Sequence, residues 1–245
     1  YDPIVLKDGG LCLDCSDIDY NAVDKIVNVH VTGFSEYTVV ETGEAPKIIY
    51  VDVDSINGVN LCSDTYDRNT NDIEHPFCSI KKAAQLVLAG DTIQIRTGIY
   101  TEVGITFANS GQPGAPITVQ SYNNEDVIIQ RGGLSNRIFS FYDADGQTPG
   151  FGNYIFRNFK MTNTDDAFYF GSDTFPRFHD ILIENIEFYN LNSAISAGQN
   201  GGVERLVVRN CLVHDNYDND GIFNFKINED NLVTTGSGSR DIVFI

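Results

Sequence analysis

Apolar and polar residues in the second half of the chain alternate over short runs, and the runs repeat in phase. Setting Asn158, Asn185 and Asn210 in one column gives steps of 27 and 25 residues. Four positions earlier stand Tyr154, Ile181 and Leu206; two earlier stand Phe156, Ile183 and Val208. One position later come Phe159, Ile186 and Cys211, three later Met161, Phe188 and Val213, five later Asn163, Asn190 and Asp215. Alternate residues of a strand face one side, so offsets −4 and −2 point inward together. The inward phase then moves by one residue, to +1 and +3. Such a slip needs a bend, and Asn tolerates the left-handed conformation a bend requires. Each repeat therefore predicts strand, bend, strand, turn, strand, stacked on the next coil at about 4.8 Å, with the Asn side chains laddered inside the wall. That is a parallel β-solenoid.

The pattern extends in both directions. Ile93/Ile95 and Ile117/Val119, 24 residues apart, predict earlier coils, and Val127–Ile129 and Arg137–Tyr142 add further strands. Residues 79–89 read as the one helix: Ser79 caps it, Ile80, Ala83, Ala84 and Val87 share a face, and Gly90 stops it. Asp241–Ile245 aligns with Asp180–Glu184 and stops in mid-strand, so either more coils follow or this edge pairs with another chain. Residues 48–245 form the solenoid on this reading. Residues 1–47 stand apart, with strand-period runs at Val27–Thr32 and Phe34–Val40 and a short Ala45-Pro46-Lys47 linker.

Composition narrows the classes. Ile and Val total 45 against 12 Leu, and Asp and Asn total 47, which is β-branched strand material divided by turn formers. The net charge of −18 argues against a nucleic-acid binder, since phosphate neutralisation needs basic patches. No run of 18 apolar residues exists to predict a spanning helix. The sequence opens at Tyr1 without an initiator Met or a signal segment, as expected of a chain processed or excised from something longer. Acidity and two cysteine pairs, Cys62 with Cys78 and Cys12 with Cys15, suit disulfides and an extracellular location. The alternative is a zinc site built from Cys12, Cys15, His75 and Cys78. Cys211 falls in an apolar column and is expected as a buried free thiol. No N-x-[ST] sequon is present.

Two stretches resemble known families. Leu11–Cys15 and Asn28–Thr38 resemble the C-terminal end of small sandwich-like domains of archaeal and bacterial surface proteins, which implies that 1–47 is the tail of such a domain or an N-terminal β extension. Tyr50–Val53, Pro76–Ala84, Ala89–Glu102 and Ser110–Gln120 resemble the opening of right-handed parallel β-helix proteins. That family includes lyases acting on pectate, alginate and chondroitin-type chains, and many secreted or surface proteins. The resemblance implies an all-β, right-handed parallel β-helix whose helix at 79–89 caps the N-terminal end. It also implies, for a lyase, calcium neutralising a uronate carboxylate so that a Lys or Arg base removes the C5 proton.

Candidate chemistry follows the coils. Asp165 and Asp166 lie on one coil, Asn190 and Asn192 on the next, and Asp215, Asp218 and Asp220 on a third, where phased stacking gathers oxygen ligands for calcium. The plain alternative is that these are turn formers. Arg157, Glu184 and Arg209 share a column, and Lys160 stacks near Glu187, as cross-strand ion pairing requires. Lys226 and Arg205 stand outside those pairs and are the candidate bases, though neither sits in a lyase motif. Aromatics between Phe168 and Phe225 are core or sugar-stacking groups. The leading expectation is a structural or adhesive β-helix module of a larger surface or filament protein, contacting acidic polysaccharide or copies of itself. The alternative is a calcium-dependent polysaccharide lyase.

Overall fold

The computed structural model describes residues 4–7, 10–11, 16–21, 26–30, 37–40, 45–53, 62–131, 137–143, 151–172, 178–197, 203–216, 225–227 and 243–244. The chain divides into two compact units, Tyr1–Ala45 and Pro46–Ile245. The first holds β1 (Ile4–Lys7), β2 (Gly10–Leu11), β3 (Ser16–Asn21), β4 (Ile26–His30) and β5 (Tyr37–Val40). β1 pairs antiparallel with β2 and β5, and β3 with β4. Cys12 and Cys15 lie outside the described residues.

The second unit is a right-handed parallel β-helix. Its first wall stacks β6 (Ile48–Val51), β7 (Thr92–Ile95), β9 (Ile117–Ser121), β12 (Gly152–Arg157), β14 (Phe178–Glu184), β16 (Val203–Arg209) and β19 (Val243–Phe244) in parallel. The second sheet runs β8 (Gly98–Glu102), β10 (Val127–Arg131), β13 (Lys160–Ser172), β15 (Glu187–Ala197) and β17 (Leu212–His214). β11 (Arg137–Asp143) joins the later part of β13, and β18 (Phe225–Ile227) the later part of β15. The long strands β13 and β15 thus serve two walls each.

The columns hold as strand register. Tyr154 pairs with Ile181 and Ile181 with Leu206, while Met161 pairs with Phe188 and Phe188 with Val213. Val243 and Phe244 stack on Val207 and Val208, as the alignment of 241–245 with 180–184 requires. One register differs from expectation. Ile93 pairs with Val119 and Ile95 with Ser121, two residues from the expected alignment. A period-2 pattern excludes odd slips, which would turn apolar residues outward, but is blind to a slip of two.

The bends are where Asn stands. Asn158, Asn185 and Asn210 have φ of 63°, 52° and 52°, and Asn163, Asn190 and Asp215 repeat this with 54°, 52° and 52°. A third left-handed column comprises Asn153, Asp180 and Arg205. The Asn side chains do not lie inside the wall. Asn185 is exposed at the corner, and its amide donates to Asn158 Oδ1 (3.2 Å), whose amide donates to Asn124 Oδ1 (2.9 Å).

The capping helix, α1, is Ile80–Leu86, shorter than the expected 79–89. Ser79 Oγ accepts from Lys82 N (3.1 Å), and Glu102 accepts from Ile80 N and Lys81 N. The helix stops early because Val87 turns extended and Asp91 takes the Leu88 N–H (2.8 Å). Gly90, with φ 88°, shapes the following turn, where a Cβ would meet the Pro46 ring at 2.9 Å. Ile80, Ala83 and Ala84 are buried on the solenoid core.

That core is continuous, and aromatic rings stack along it coil upon coil. Phe139 lies on Phe168 at 5.2 Å and Phe141 on Phe170 at 5.0 Å, where each such pair contributes about 0.5–1.5 kcal/mol beyond area burial. Phe168, Phe170 and Phe178 are therefore core groups. One ion pair is sunk at the base: Arg68 grips Asp91 through Nε (2.9 Å) and Nη2 (2.7 Å), and Asp91 also accepts from Lys47 N. Cys62 is bonded to Cys78 with Cα atoms 4.8 Å apart. The bond consumes Cys78, and His75 is held by Asp72, so the zinc alternative loses its second half.

Candidate functional site

Where the first wall turns into the second sheet, three successive coils leave a shallow groove of about 330 Å³. Asn124, Asn158 and Asn185 form its rim, and Glu125, Asp126, Lys160 and Glu187 supply its charges, while Val127 and Phe159 beneath them are buried in the core. The rim amides are the laddered bend residues. The left-handed bend that lets the chain turn the corner is therefore what presents one polar amide per coil.

The charges form a chain along the solenoid axis. Lys160 Nζ lies 3.0 Å from Asp126 Oδ1 and 3.9 Å from Glu187 Oε2. Glu187 Oε1 meets His214 Nε2 at 3.0 Å, and His214 Nδ1 meets Asp215 Oδ2 at 2.8 Å. Asp126 above all, then Glu187, holds the Lys160 ammonium above the usual lysine range. Asp215 first, then Glu187, pushes the His214 imidazole up. Glu125 is occupied by Arg96 Nε (2.9 Å) and Thr97 N (2.8 Å).

The sequence-derived candidates are dispersed. Asp165 takes a hydrogen bond from Asn192 (3.3 Å) and faces Arg131; Asp166 faces Arg137, whose guanidinium lies over the Tyr169 ring. Asp215 stands in another row, stacked with Asn163 and Asn190, and is tied to His214. Among the described residues, no group of three or more His, Cys, Asp or Glu side chains is disposed to hold a metal ion. Asp218 and Asp220 lie outside the described residues.

Arg205 is bound by both nitrogens of its fork to Asp180, at 2.6 and 2.7 Å, and also meets Glu204. Lys226 takes a register position opposite Ser196, in the row of Ser140 and Tyr169. The Arg157–Glu184–Arg209 column is an ion-pair ladder, with Arg209 Nε donating to Glu184 at 2.7 Å. Cys211 is a free thiol, half-buried rather than buried, and burial pushes its pKa up.

Asn124, Asp126 and His214 were not singled out by sequence. The outward columns held the signal for His214: offset +2 contains Lys160 and Glu187, offset +4 contains Tyr189 and His214, and a diagonal joins them.

Residues 78–138 match the Chondroitinase B family, a span that includes α1, the first coils and the Asn124–Val127 lip of the groove. An uncharacterized protein of Bacillus subtilis (strain 168), YwoF, is 37% identical over 83 residues, 34% of this chain and 16% of its own length. The GH136 lacto-N-biosidase of Eubacterium ramulus superposes over 81% of this chain and 40% of its own, with TM-score 0.62 and 13% identity, a likeness of fold. A rhamnogalacturonan lyase superposes over 81% of this chain and 50% of its own at TM-score 0.48 and 19% identity, too loosely to argue from. This chain thus spans half or less of each of these three proteins. On coil register, wall pairing and family match together, the chain is a right-handed parallel β-helix protein with a chondroitinase B-like stretch.

Proposed function

We propose that the solenoid is a polysaccharide-contacting module of an extracellular protein, and that the groove beside the Asn124–Asn158–Asn185 rim makes the contact. The observation that carries this reading is the groove itself: polar groups repeated once per coil beside an ammonium pinned at its centre. A repeating row of amides suits a repeating polymer, because successive sugars meet equivalent partners. The match to a glycan-related family supports the same reading. The Cys62–Cys78 disulfide supports an oxidising compartment. Among the described residues, no helix is long and apolar enough to cross a membrane.

The second reading, a polysaccharide lyase, is favoured by the Chondroitinase B match over 78–138. A lyase base must be unprotonated when it removes a proton. Lys160 is held as its ammonium by Asp126, and Arg205 is clamped by Asp180, so neither of these two cations suits that role. Contact without cleavage is the better fit. Calcium binding by Asp215, Asp218 and Asp220 is proposed from their close spacing in the sequence alone.

One experiment separates the readings. Polysaccharides are incubated with the protein and with Lys160→Met, with calcium and with EDTA, scoring binding by calorimetry and unsaturated product by ultraviolet absorbance. We expect binding without product, weakened about tenfold by Lys160→Met through loss of a charged hydrogen bond. Calcium-dependent product formation overturns the contact reading in favour of the lyase.

A further inference from the structure

The groove's own charge balance restricts what it can hold, an inference that rests on the polysaccharide reading. Its described lining carries three carboxylates, Glu125, Asp126 and Glu187, and one cation, Lys160. That cation is already shared between Asp126 and Glu187. Arg96, behind Glu125, is bound to it and covers the Tyr122 ring at 4.8 Å. Glu187 draws its remaining positive partner from His214, which Asp215 also holds. A sugar carboxylate taking the remaining Lys160 donor would be a third anion on one ammonium and would stand beside three protein carboxylates, with like charges facing one another at close range. The chain's net charge of −18 adds long-range repulsion against any polyanion.

An uncharged sugar meets none of these obstacles. An ionised carboxylate has about four acceptor positions, so Asp126 and Glu187 keep lone pairs for hydroxyl donors while still bonded to Lys160. The ammonium has three donors, so one can turn to a ring or glycosidic oxygen. We infer that the groove selects uncharged, hydroxyl-rich sugar units and excludes uronates.

The test uses one uronate oligosaccharide before and after carboxyl reduction, so that linkage and length stay fixed while charge is removed. Affinities of the whole chain for both forms are measured by calorimetry in EDTA and again in calcium. The reduced, neutral form should bind at least tenfold more tightly in both buffers, and Lys160→Met should weaken it. Asp126→Asn/Glu187→Gln should raise affinity for the intact uronate and narrow the gap. Equal or tighter binding of the intact uronate in either buffer overturns the selection while leaving the polysaccharide contact in place. Binding of neither form overturns the contact reading itself, and the selection with it.

Discussion

Arg205 and Asp180 occupy equivalent positions one coil apart, both in the left-handed region, with φ of 52° and 54°, and grip each other through two hydrogen bonds. An Arg in that conformation is unusual, because its Cβ crowds the following carbonyl. The two-pronged bond to Asp180 offsets that cost. The pair therefore belongs to the solenoid's corner, and Arg205 is spent on it rather than left to act on a ligand.

The pair should titrate in acid. Arg205 above all, helped by His179, draws the Asp180 carboxyl down to about 2, against about 3.9 for an unfolded Asp. A depressed carboxylate stabilises the fold above its unfolded value and loses that contribution as pH falls through its folded value. Chemical denaturation from pH 5 to pH 2 should show this loss in the parent and a smaller one in Arg205→Asn. Asn suits the left-handed bend, so Arg205→Asn should stay near the parent melting temperature at neutral pH, above Arg205→Ala. Sugar binding should be unchanged in both.

At the ladder, Asn185→Val should destabilise by about 1–3 kcal/mol, because a β-branched residue is strained at φ 52°. Asn185→Gly should cost much less, since Gly accepts that conformation freely. Equal losses in both variants, measured by denaturant melts, would assign the stabilisation to the amide bonds with Asn158 instead of to the bend.

The coil phase was legible in the sequence because strand parity and the left-handed preference of Asn are both local physics. Tyr154/Ile181/Leu206 and Asn158/Asn185/Asn210 each announce themselves. What lay beyond reach has equally specific causes. Asn124 is a rung of the same ladder, but its step to Asn158 is 34 residues and breaks the period. Arg205 hid a bend because Arg does not announce one. Parity fixed that Ile93 faces inward but not that it meets Val119. The groove depends on an inserted turn at Tyr122–Asn124 and on the exposed side of the ladder, and neither is encoded in a hydrophobic pattern.

At the base of the solenoid, Asp91 is fully buried and Arg68 9% exposed. Removing one partner of such a pair costs about 3–5 kcal/mol, because the other charge stays buried. Arg68→Met should show a loss of that size in equilibrium melts. Arg68→Met/Asp91→Leu should not recover it, since Asp91 also accepts the Lys47 and Leu88 N–H groups, which Leu leaves bare. Full recovery would mean that those two backbone bonds contribute nothing.

The end of the charge chain should respond to pH near neutrality. His214 lies between Asp215 and Glu187, and both carboxylates favour its charged form, Asp215 most strongly. A histidine whose folded value is raised stabilises the fold below its unfolded value, about 6.5, and that contribution disappears as pH rises through the folded value. Proton NMR of the His214 ring should therefore place its midpoint above that of an unfolded histidine. Asp215→Asn should lower the midpoint more than Glu187→Gln does, matching the order of the two causes. Deprotonation leaves Glu187 with Lys160 as its remaining cation in the chain, so the ammonium is drawn away from Asp126 and the groove gains net negative charge. Affinity for a uronate should then fall as pH rises through the His214 midpoint, while affinity for its carboxyl-reduced form stays level. A midpoint unmoved by both substitutions would show that the imidazole is not held by these carboxylates in solution.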